Sequence, residues 1–139
     1  MASPLWRIPM AVLFACLILF AAAQYNDPDP QIWVTMYSAG AIWTGLAAFA
    51  PRLLRGRAAT LLLLISVILT FSAVVYFWPA SPNWWRQEVW WRDEEAREGM
   101  GAMILAACIA LVGGYRLVAP KRLSIAWRPG PRRFDRRCR

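Results

Sequence analysis

The sequence predicts an all-α membrane protein, four transmembrane helices in an antiparallel bundle. Three observations carry this: the apolar content, the spacing of the apolar runs, and the way basic residues segregate between the loops. Hydrophobic residues fill 59% of the 139 positions and mean hydropathy is +0.37, whereas soluble domains are about 45–50% apolar. Four apolar runs, at about 8–23, 32–50, 58–78 and 99–118, approach the roughly 20 residues that a helix needs to cross a bilayer. None contains an acidic residue, and Arg116 alone puts a charge near an end. Counting Arg116 at the membrane edge with the tail, all but three of the 16 basic residues fall in the N-terminal segment, the second connection or the tail. Arg86, Arg92 and Arg97 are the exceptions. Because basic loops resist translocation, both termini are expected to be cytoplasmic, with a bacterial inner membrane as the expected location.

The first span is entered through Pro4, Trp6, Arg7 and Pro9. A cleaved secretory signal peptide would read similarly, with Arg7 as its basic region and Ala21–Ala23 before the cut. The expectation kept here is a membrane span. The second opens at Pro30 and carries Trp33, Tyr37 and Trp43 among small residues that permit close helix approach. The short connection RLLRGR is expected to make the second and third helices antiparallel neighbours. In the third, Ser66, Thr70 and Ser72 can bond back to their own helix and need no ligand. The fourth is expected to begin at Gly99. Residues 1–119 would form one membrane domain and 120–139 a basic tail without fixed structure.

That tail concentrates much of the formal charge of +8. Lying directly beyond a span, Lys121, Arg122, Arg128, Arg132 and Arg133 are expected to meet anionic lipid headgroups, each basic residue contributing about 1 kcal/mol near the surface. No nucleic-acid partner is expected. The absence of histidine excludes intrachain His triads, His-ligated zinc and bis-His haem. Cys16, Cys108 and Cys138 form no C-x-x-C, so a thiol oxidoreductase is not expected either.

Two segments on the opposite side carry the remaining signal. In PNWWRQEVWWRDEEAREGMG, four of the nine tryptophans fall within eight residues. A Trp-rich amphipathic helix from about Asn83, lying in the headgroup region, is the expected structure. In QYNDPDP, Asp29 is a good N-cap and Pro30 a good first helical residue, so the stretch can be a rigid corner that binds nothing. Alternatively Asp27, Asp29, Glu94 and Glu98 could ligate a divalent cation, Ca²⁺ or Mg²⁺, through carboxylate oxygens. Glu94 and Glu98, four apart, share a helix face. Arg97 could instead neutralise the carboxylates and latch the first loop to the fourth helix.

The pattern Gln24-x-Asn26-Asp27-Pro28-Asp29-Pro30-x-x-Trp33-x-x-x-Tyr37, with the later Glu94-Glu95-x-Arg97-Glu98-x-x-Gly101, resembles transmembrane family 220. The resemblance does not extend to the basic tail or to WWRQEVWW. It implies a four-span fold and two motifs that meet in space, and it implies no reaction. The expected function is therefore an accessory, assembly or structural subunit of a membrane complex, not an enzyme, in which the acidic cluster acts as a latch. A binding or transport protein with an outward-facing carboxylate site is the alternative. The site residues expected on either reading are Gln24, Asn26, Asp27, Asp29, Trp33, Tyr37, Glu94, Glu95, Arg97 and Glu98.

Overall fold

A computed structural model of the chain describes residues 4–126, and side chains over 5–117. Four long helices account for most of it: α1 (Pro4–Ala23), α2 (Pro30–Phe49), α3 (Arg57–Tyr76) and α5 (Glu94–Ala126). A single helical turn, α4 (Gln87–Trp90), lies between α3 and α5. Three-residue 3₁₀ turns at Gln24–Asn26 and Leu53–Arg55 complete the connections. There is no strand among the described residues. Each long helix holds a stretch of 20–24 residues apolar enough to cross a membrane. In hydrocarbon every backbone N–H and C=O must be bonded internally, which the helix alone achieves within one segment.

Packing follows the small residues. α1 and α2 form the most extensive helix pair, and α5 packs against both α2 and α3. Gly40 lets the helices close up, because the space where its Cβ would stand is filled by Leu17 of α1 and Leu105 of α5. Around it Met10, Ala41, Ala47, Ile109 and Val112 are buried. The other faces stay apolar and exposed, as on α3 with Leu62, Ile65, Ile68 and Leu69, the expected pattern for side chains that meet lipid.

Three expectations are corrected. The short connection after α2 does not make α2 and α3 the main neighbours: α3 lies chiefly against α5, and α2 reaches it through the bond from Trp43 Nε1 to Ser66 Oγ at 2.9 Å. Leu54, buried in the intervening turn, carries the chain sideways. The helix that carries the fourth span begins at Glu94, ahead of Gly99, and continues past Pro120 to Ala126, into the segment expected to lack structure, while its apolar stretch ends at Leu117. Proline removes one N–H donor and leaves the carbonyl four residues earlier unpaired, and with no glycine between Leu117 and Ala126 the helix carries on. Lys121 and Arg122 fall on this extension; Arg128, Arg132 and Arg133 lie outside the described residues.

The third correction is the Trp-rich segment, which forms no amphipathic helix from Asn83. Its helix is the one turn of α4. Asn83 adopts φ 59°, a left-handed conformation that Asn tolerates better than most residues and that starts no helix. The tryptophans pack on the loop instead. Trp84 stands edge-on between Trp78 and Trp85, with ring centroids 5.9 Å from each, and Trp90 Nε1 donates to the Trp84 carbonyl. Ser66 and Thr70 do bond back to their own helix, to Leu62 O and Ser66 O, each at 2.8 Å.

Candidate functional site

The first loop is built by its own side chains. Gln24–Asn26 turns the chain, with Asp27 N–H donating to Gln24 O at 3.0 Å. Asp27 is then extended (φ −73°, ψ 149°), the conformation that a following proline imposes. Its carboxylate Oδ1 accepts the Asp29 N–H at 3.2 Å, an Asx turn. The expected side-chain cap is therefore absent, and the carboxylate bond lies one step before the helix. Asp29 occupies the N-cap position of α2, with Pro30 at the start of the helix, but its carboxylate makes no capping bond. The reason is local: once Asp27 has taken the Asp29 N–H, the chain enters α2 without help from the Asp29 side chain.

The facing wall is the start of α5, and its placement also rests on an acid. Asp93 precedes the helix; its carboxylate accepts the Ser81 hydroxyl, and the backbone N–H groups of Ala96 and Glu95 point at it. These bonds, led by Ser81 and helped by the nearby Arg97 charge, hold its carboxyl below the usual 3.8, although partial desolvation opposes them. Asp93 is thus the residue that starts α5, a role the sequence reading did not assign. The signal was available, since Asp followed by two glutamates before an apolar run is a helix-start pattern.

Between these walls lies a pocket of about 290 Å³, lined by Ala23, Gln24, Asn26, Asp27, Pro28, Trp33, Tyr37, Glu94, Arg97 and Glu98. Asp27, Glu94 and Glu98 each turn a carboxylate oxygen toward a common point, the three atoms within 4.8 Å of one another. Trp33 Nε1 donates to Glu98 Oε1 at 3.3 Å. Trp33 and Tyr37, one turn apart on α2, are nearly fully buried, at 2% and 6% exposure. Behind them Phe77 and Phe20 close the wall, with centroids 5.0 Å from Trp33 and 5.6 Å from Tyr37. Gly101 lets α2 approach this closely: a Cβ there would run into the Tyr37 hydroxyl and would lie against the Trp33 ring.

Of the ten residues expected from sequence, eight line this pocket and two do not. Asp29 does not line it, and its backbone serves the helix entrance, the N–H donating to Asp27 Oδ1 and the carbonyl accepting Ile32 N–H at 3.2 Å. Glu95 is exposed on another face of α5, as its place one residue after Glu94 requires. Asp29 accordingly drops out of the four metal candidates, leaving Asp27, Glu94 and Glu98. The latch through Arg97 does not form either. Its Nη1 donates to Trp90 O at 3.3 Å, drawn by the carbonyls at the end of α4 rather than by the first loop. What joins the two motifs is the indole of Trp33 on Glu98.

No solved structure matches the chain. A model of the family described as Transmembrane family 220, helix, matches residues 16–113, a stretch that includes both loop motifs, the second and third apolar segments and parts of the first and fourth, and the chain belongs to that family of integral membrane proteins.

Proposed function

We propose that the protein is a non-enzymatic membrane binding protein whose pocket, at the acidic end of the bundle, takes up a cation from the outward side. One observation carries the reading: three carboxylates converge within 4.8 Å in a pocket of about 290 Å³ without an arginine bonded among them. Like charges about 5 Å apart repel by about 1 kcal/mol in bulk water and about 3–4 kcal/mol at an effective dielectric of about 20. A bound positive charge turns that repulsion into attraction. Carriage across the bilayer is not part of the reading, since the centre of the bundle offers no acid or base for a charged substrate to follow.

The test is thermal unfolding of the detergent-purified chain in CaCl₂, MgCl₂ or ethanolamine hydrochloride, against NaCl of equal ionic strength. At least one cation raises the midpoint saturably, and Asp27→Asn with Glu98→Gln abolishes the shift. A midpoint indifferent to all three removes the reading. An accessory role in a membrane complex is the second reading, and the exposure of Trp85 and Trp91 at the same end, 61% and 76%, favours it. Native mass measurement after mild extraction decides it, a lone chain counting against.

A further inference from the structure

Resting on the cation-binding reading, one side chain says more about the ligand. Tyr37 is only 6% exposed, and its hydroxyl lies over Gly101, one turn of α5 deeper than Glu98. It lines the pocket and has no hydrogen-bond partner among the described residues. The residue is packed away, but its hydroxyl stays open to the pocket that it lines, where an entering ligand group can bond to it. This is independent of the carboxylates. It places a neutral donor–acceptor and an aromatic wall beneath them.

We propose that the pocket binds a small zwitterion, a primary ammonium next to an anionic group, rather than a bare metal ion. The ammonium sits among Asp27, Glu94 and Glu98 with Tyr37 beneath it, and the anionic group faces Arg97. Four features favour this over Ca²⁺ or Mg²⁺. The pocket volume, about 290 Å³, is far more than the roughly 10–15 Å³ that admits one water. A hard dication wants six or more oxygens, whereas one Glu98 oxygen is already engaged by the Trp33 indole. An ammonium has three donors to distribute over carboxylates and hydroxyl, and it gains from the aromatic faces of Trp33 and Tyr37. Arg97, permanently charged, repels a dication twice as strongly as an ammonium. Toward a carboxylate or phosphate it has donors to spare, because only Nη1 is taken, by Trp90 O.

The same chemistry occurs in soluble amino compounds and in the headgroup of an ethanolamine phospholipid. The experiment separates them. Thermal midpoints of the full chain are measured in detergent with O-phosphoethanolamine, ethanolamine, CaCl₂ and MgCl₂, then in nanodiscs of phosphatidylglycerol with or without phosphatidylethanolamine. A saturable rise with O-phosphoethanolamine, at about tenfold lower concentration than ethanolamine requires, is expected. A rise confined to the phosphatidylethanolamine discs supports the proposal with a lipid as the source. Arg97→Gln should bring O-phosphoethanolamine down toward the level of ethanolamine, while ethanolamine itself holds or gains from the loss of a positive neighbour. Tyr37→Phe should weaken both about tenfold while leaving the unliganded midpoint in place. Equal loss of both ligands in Arg97→Gln, or full affinity in Tyr37→Phe, overturns the assignment. A rise with Ca²⁺ or Mg²⁺ and none with any ammonium overturns the zwitterion but leaves the cation-binding reading standing. No rise with any of them removes both.

Discussion

The two ends of the bundle use charged residues in opposite ways. At the basic end, Arg7 of α1 donates from Nε to Ala48 O at 2.8 Å, and Arg116 of α5 donates from Nη2 to Gly56 O at 3.2 Å and to the Thr60 hydroxyl. Both guanidinium groups fasten neighbouring elements: Arg7 takes up a carbonyl in the last turn of α2, which helix geometry leaves unpaired, and Arg116 joins the Thr60 N–H on the carbonyl of Gly56, the residue before α3. Arg116 keeps Nη1 buried without a partner among the described residues. At the acidic end Asp27, Glu94 and Glu98 face one another instead. Charges that serve the fold are joined to backbone, whereas charges brought against their own kind cost stability and need another reason to be there.

That contrast can be broken from either side. The largest effect is expected at Gly101, where any side chain must displace the Tyr37 hydroxyl. Gly101→Val should destabilise the bundle by about 1–3 kcal/mol, the usual cost of overpacking, and abolish cation binding with it. Thermal unfolding and the cation-induced shift, measured together, check this. Next comes Arg7→Met, which keeps the aliphatic stem but frees the Ala48 carbonyl. Loss of one charge-assisted bond should cost about 1.5–3 kcal/mol before solvent exposure is discounted, and ligand response should be untouched. A midpoint that stays put would mean that the bond contributes nothing to the fold.

At the acidic end the sign reverses. Glu98→Gln keeps an acceptor for the Trp33 indole and removes one of three crowded charges. Its unliganded midpoint should equal or exceed that of the wild type, by an amount worth up to about 1 kcal/mol after screening, while the response to cations disappears. A clear drop in the unliganded midpoint would identify Glu98 as a structural latch and nothing more.

The smallest effect concerns Asp93. Its carboxyl is depressed below 3.8, chiefly by the Ser81 hydroxyl, so its contribution to stability is complete above that value and is lost as pH falls through the lower folded pKa. Ser81→Ala should raise the folded pKa toward the ordinary one and leave a melting profile less steep on the acid side. Midpoints collected between about pH 6 and pH 3 distinguish the two profiles.

The spans were legible because a bilayer demands about 20 apolar residues from each, and nothing in a chain this hydrophobic competes with that pattern. The meeting of the two motifs was legible in part. Glu94 and Glu98 could be paired from their spacing, but that Trp33 would bind Glu98 depends on the depth to which α2 and α5 slide together, which Gly101 sets. Asp27 and Asp29 could not be told apart. Both are Asp before Pro, and either can bond a backbone N–H two residues on. The Trp-rich loop misled because helical spacing was read from Asn83, whose left-handed backbone starts no helix, and stacking between neighbouring indoles held those side chains to the loop instead. The extension of α5 through Pro120 was hidden by the usual weight given to proline as a stop signal.

The cation site is tested most directly by calorimetric titration of the detergent-purified chain, with ethanolamine, O-phosphoethanolamine and CaCl₂ as separate titrants near neutral pH. A saturable isotherm with one site per chain for at least one titrant, absent in Asp27→Asn, is the result predicted. Flat isotherms for all three, or an isotherm that survives in Asp27→Asn, would show that these carboxylates converge without holding a ligand.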